Sequence, residues 1–165
     1  MISSNYLKKY PLITWATQKV LRTSCKKVHS INHEIKEFAS LLLYRMHEYD
    51  GVWIAAPQVW RSIKMAAFVT LDTSAKDPWQ WTVIHEEIMI NPEIIALSKS
   101  LETDEEGCLS LPGEQWRVAR PSRATIQWIN LKGKKVVRKV EWFNARIMLH
   151  EIDHLNGVLF IDKIT

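Results

Sequence analysis

The chain has 165 residues, 47% of them hydrophobic and 24% charged, and its 22 Lys and Arg against 18 Asp and Glu leave a net charge of +4. This balance suits one globular domain over 1–165, and no apolar run approaches the roughly 18 residues of a membrane span. The N-terminal MISSNYLKKYPLIT has no signal-type apolar stretch, the two widely spaced cysteines exclude a disulfide framework, and the small basic excess does not by itself indicate nucleic acid.

In chain order, residues 33–49 place Ile35, Phe38, Leu42, Met46 and Tyr49 three and four apart, which predicts an amphipathic helix. The runs 63–71 (IKMAAFVTL) and 88–94 (IMINPEI) predict strands, the second interrupted by a proline that suits an edge or a bulge, with a polar loop between them. Residues 104–121 read as a Gly- and Pro-marked loop. A hairpin follows, with strands at 124–131 and 134–142 around a turn at Lys132-Gly133. The last element, NARIMLHEIDHLNG, predicts a helix of about twelve residues with Asn144 as N-cap and Gly157 just past its end. Strands followed by a late helix packed on them indicate an α+β fold.

That helix carries His150, Glu151 and His154 in the pattern H-E-x-x-H. Two histidines four apart project from one helical face and can direct imidazole nitrogens at one metal ion, while the glutamate between them is placed to act as a general base. A catalytic tetrahedral ion takes three protein ligands. The residues leave the third open among the carboxylates, His85 and the cysteines. Cys108, in EEGCLSLPG, is the glycine-flanked candidate, although a free cysteine is more often a small buried hydrophobe. Cys25 reads as structural.

Three segments together, GVWIAAPQ at 51–58, EGCLS at 106–110 and HEIDH at 150–154, resemble the signature motifs of the peptide deformylases, in that family's order. The resemblance runs from about residue 20 to the C-terminus. It implies a peptide-deformylase-like α+β fold, with antiparallel or mixed sheets around the HExxH helix. It implies a hydrolase that removes the formyl group from the N-terminal formylmethionine of new proteins and releases formate. Carried over residue by residue, it makes Cys108, His150 and His154 ligands of one divalent metal, iron(II) foremost, with zinc, nickel or cobalt able to replace it. Glu151 becomes the general base and acid, and Gln58 with the Leu109 amide the oxyanion donors. The peptide is expected as an added strand along the first motif, with Gly51, Val52, Trp53, Gly107, Leu109, Ile147 and His150 lining the substrate site. Glu106 and Arg120 could form a buried ion pair that braces the cysteine loop.

The resemblance further implies formylmethionyl nascent peptides as partners, a bacterial-type cytoplasmic setting, a monomer, no membrane and no specific nucleic acid. Transient ribosome contact is the one further partner it allows. The chain ends at Ile164-Thr165, so the additional C-terminal helix that some members extend toward the ribosome is expected to be absent.

The departures from the family run in one direction. Trp53 stands where the motif G-x-G-x-A-A-x-Q has its second glycine, and Trp15, Trp60, Trp116, Trp128 and Trp142 also fall where glycine is frequent. The five Gly and eight Trp together make 13, close to the roughly twelve glycines of average usage. The expectation is that these are UGA codons read as glycine, as in some uncultured bacterial lineages, and written here as tryptophan. Genuine tryptophans would instead imply a metal-binding, peptide-binding paralogue with impaired catalysis.

Overall fold

The structure, a computed structural model, describes residues 2–165, the side chain of Trp79 excepted. Three helices, α1 (Ser4–Lys9), α2 (His33–Glu48) and α3 (Trp142–Leu155), accompany seven strands: β1 (Trp53–Ala55), β2 (Met65–Asp72), β3 (Thr82–Leu97), β4 (Leu101–Cys108), β5 (Leu111–Pro121), β6 (Arg123–Ile129) and β7 (Lys135–Glu141). Five strands form an antiparallel sheet in the order β1-β2-β3-β6-β7, while β4 and β5 pair separately. Both α2 and α3 pack against β1 and β2. The fold is the expected α+β, with α3 entering among the strands.

The α2 helix starts where Asn32 caps it, its side chain accepting the Ile35 amide at 3.0 Å. Ile35, Phe38, Leu42 and Met46 are buried as their spacing predicts, but Tyr49 is the C-cap and lies exposed. Their burial joins Ile54, Met65, Phe68, Met89, Ile126 and Ile147 in the main core. Trp128 also lies in this core, edge-on to Phe68, and its indole N–H has no hydrogen-bond partner among the described residues.

The interrupted strand is longer than its buried run, because β3 sits between β2 and β6 and inter-strand pairing extends through exposed residues at both ends. Its proline is accommodated by a register shift between Ile90 and Glu93, where Asn91 has φ 50°.

Two expectations are corrected. Residues 104–121 are not a loop: apart from a two-residue turn they belong to β4 and β5, paired from Leu101–Pro121 to Cys108–Leu111. Their apolar residues do not alternate with polar ones, since most of this hairpin is exposed, and so the sequence carried no strand signal. Asn144 does not cap α3, which begins two residues earlier with Glu141 at the N-cap. Its amide instead pairs with the backbone of Leu71, accepting from the N–H at 3.0 Å and donating to the carbonyl at 2.9 Å. This clamps the helix start to the end of β2.

Past the other end of α3, Gly157 has φ 77°, and a Cβ there would lie 2.8 Å from the Arg22 carbonyl carbon. Only glycine lets the chain turn left-handed so close to another segment.

Candidate metal centre

The helical period brings His150 and His154 to one face of α3, and the end of β4 carries Cys108 to meet them. The ligand atoms of the three residues lie within 4.8 Å of one another. His154 Nε2 is 3.2 Å from both His150 Nε2 and Cys108 Sγ. His85, the other histidine candidate, lies on β3 beside Glu87 and takes no part. Cys25 is buried in the core.

Electrostatics suit these atoms to a cation. Burial holds both imidazoles below the usual histidine range, His154 far below, so each keeps a neutral lone pair. Desolvation of its sulfur pushes the Cys108 thiol up to about 12. One thiol and two neutral imidazoles converging on a point are a donor set that fits a divalent transition metal, with the thiol losing its proton on binding.

A carboxylate orients the set. Glu106 Oε2 is 2.9 Å from His150 Nδ1, which fixes the tautomer and leaves Nε2 facing the other ligands. Burial alone would raise the Glu106 pKa, but Arg120 and His150 together hold it well below the usual carboxylate range. Arg120 grips both Glu106 oxygens and reaches Asp153 at 2.7 Å. The predicted Glu106–Arg120 pair is therefore present, and larger than expected. Arg146 adds 2.6 Å to Glu106 and 2.9 Å to each of the carbonyls of Val118 and Glu102, tying α3 to both strands of the hairpin. Sequence reasoning missed Arg146, although its place four residues before His150 puts it on the same helical face.

Glu151 is fully buried, and neither carboxylate oxygen has a hydrogen-bond partner among the described residues. Burial pushes its pKa well above the ordinary glutamate value. Such a group exchanges a proton at neutral pH more readily than a solvated carboxylate does.

Gln58 is buried in the short 3₁₀ turn after β1. The Ala55 amide donates to its Oε1 at 2.7 Å, and its Nε2 donates toward Cys108 Sγ at 3.5 Å and Ser110 Oγ at 3.2 Å. The Ala55 bond therefore sets which end of the amide faces the centre.

A cavity of about 560 Å³ opens beside Cys108, walled by Gly51, Val52 and Trp53 on one side and by Gly107, Leu109 and Leu111 to Gln115 on the other. A Cβ on Gly51 would come within 2.9 Å of Leu109, so glycine allows the walls to approach. Strand β1 is the edge of its sheet and contributes Trp53 to this cavity. The Trp53 indole lies 5.4 Å from the His150 ring and 5.8 Å from Phe143. Ile147, expected at the substrate site, is wholly buried in the main core and is not among the residues that wall this cavity.

The chain matches the Polypeptide deformylase family over residues 11–165. It is 38% identical to the peptide deformylase of Desulforudis audaxviator over 88% of both chains. Among solved structures, it is similar to the peptide deformylase of Thermotoga maritima, at 33% identity and TM-score 0.83 over 94% of this chain and 97% of that one. A class I type b peptide deformylase from Acinetobacter baumannii with Met-Ala-Ser bound gives 31% identity and TM-score 0.85 over 94% and 98%.

Proposed function

The chain belongs to the polypeptide deformylase family, and on that premise we propose that it hydrolyses the N-formyl group of nascent peptides, releasing formate and a free amino terminus. The observation that carries the reading is the convergence of Cys108, His150 and His154 beside a buried, unpartnered Glu151. Residues 1–165 act in this reading as one catalytic domain.

Cys108, His150 and His154 would hold one divalent ion, iron(II) foremost, with zinc, nickel or cobalt as replacements. When bound, such an ion supplies activation of water and polarisation of the formyl oxygen. The protein does the rest. Glu151 takes a proton from the attacking water, the water oxygen joins the formyl carbon, the carbon–nitrogen bond breaks, and Glu151 returns the proton to the departing amine. Gln58 Nε2 and the Leu109 amide donate to the oxygen on which charge develops, and the fixed Gln58 amide needs no reorganisation. Glu106 keeps His150 in one tautomer throughout. The substrate backbone pairs with the open edge of β1, a mode of recognition that reads main chain rather than side chains. The proposed setting is the bacterial cytoplasm.

The test is formate release from formyl-Met-Ala-Ser by metal-loaded protein prepared without oxygen, as the chain stands and as Trp53→Gly. At least one form should turn over. Glu151→Ala in the active form should lower kcat by about 10²–10⁴-fold while metal content is unchanged. No formate from either form with metal bound would remove the reading.

A further inference from the structure

Among the described residues, four non-glycine residues have positive φ: Asp50 (51°), Trp60 (67°), Asn91 (50°) and Trp142 (53°). Asp and Asn tolerate the left-handed region through their short polar side chains, whereas a bulky aromatic residue does not. Packing does not compensate either tryptophan, since Trp60 is 48% and Trp142 56% exposed. Both stand where backbone geometry matters to the centre. Trp60 closes the turn that holds Gln58, its N–H donating to Ala56 and Pro57. Trp142 opens α3, its N–H donating to the Ser122 carbonyl at 2.8 Å.

A third tryptophan stands in the cavity itself. The Trp53 indole is stacked at a tilt between His150 and Phe143, so it fills apolar space directly beside a metal-binding residue. It also hangs from the edge strand of the five-stranded sheet, which borders the cavity. Glycine at a strand edge is what permits close approach of another backbone.

We propose that the working enzyme carries glycine at positions 53, 60 and 142, its source reading UGA codons as glycine, and that the bare backbone at 53 admits the substrate's first side chain to the space beside His150. The clause on the substrate rests on the deformylase reading; the codon clause does not. Glycine relieves the left-handed positions at 60 and 142 without loss of packing. At 53 it uncovers the centre. Trp81 and Trp128 have no positive φ and do not line the cavity, so they bear no such mark.

The gene answers the codon clause directly. UGA is expected at all three positions, and UGG at any one of them overturns the proposal. The cavity clause is read by comparing formate release from formyl-Met-Ala-Ser by the metal-loaded chain as it stands and by Trp53→Gly, with a rise in kcat/KM of about 100-fold expected. Equal or greater turnover by the unsubstituted chain would overturn this clause. Silence from both, with metal bound, would instead count against the deformylase reading and leave the codon result standing. Trp60→Gly and Trp142→Gly are each expected to raise Tm by about 2–4 °C through lost backbone strain, and a fall in both would overturn the assignment at those positions.

Discussion

Helix α3 and the β4–β5 hairpin hand ligands to one centre, yet different forces hold them there. Ten of the fourteen residues of α3 are buried, most of them apolar, so packing fixes the helix. The hairpin buries only Glu106, Ser110, Leu111, Val118 and Arg120 among its described residues. It is docked by charge: Glu106 and Arg120 from the hairpin meet Arg146, His150 and Asp153 from the helix. A metal centre shared by a packed element and an ionically docked one depends on the ionic cluster for its geometry.

The largest effect expected is on metal retention. Cys108→Ala removes the hairpin's only ligand and His154→Ala one of the helix's two, and each should weaken metal binding by more than about 100-fold, exceeding the loss typical of an outer-shell partner. Metal analysis after dialysis measures this. If Cys108→Ala keeps its metal, the hairpin is not a ligand-bearing element and the comparison breaks.

Glu106→Gln comes next, because it leaves two buried guanidinium groups short of a counter-charge. Breaking a buried pair of this kind costs about 3–5 kcal/mol, which denaturant unfolding of the metal-free protein would detect. Hydrogen exchange should place the loosening in β4 and β5 before α3.

Acid sharpens the same point. The Glu106 carboxyl is held well below its ordinary value of 4.5, so the folded protein resists protonation there more than the unfolded chain does. Its contribution is full above about pH 4.5 and is lost as pH falls below that value. The stability gap between the parent and Glu106→Gln should therefore narrow on acidification, and a constant gap would contradict the charge account. Smallest is Ile147→Val on the packed side of α3, expected to cost about 0.5–1.5 kcal/mol with metal content unchanged.

The same division decided what could be read from the sequence. The ligands were legible because helical spacing fixes where His150 and His154 point on α3, and because Cys108 on the hairpin sits in a recognisable segment. The hairpin was not legible as structure: LETDEEGC has no apolar alternation, since its strands are stabilised by mutual pairing and by one buried carboxylate. Asn144 misled for a related reason. A cap residue and a residue that clamps a distant backbone look alike until β2 is in place. Ile147 shares the helix of the ligands yet points into the core, a distinction that depends on the rotation of α3 against its neighbours. Arg146 was hidden because a single arginine on a helix ordinarily belongs to solvent.

The open edge of β1 has one more consequence. The strand is only three residues long, so it offers a visitor few main-chain bonds. A second sheet gains little by docking on so short an edge, which limits self-association. A flexible chain end loses little on leaving it. Brevity at this edge therefore favours turnover over capture, and it suits a surface that must meet many different sequences one after another.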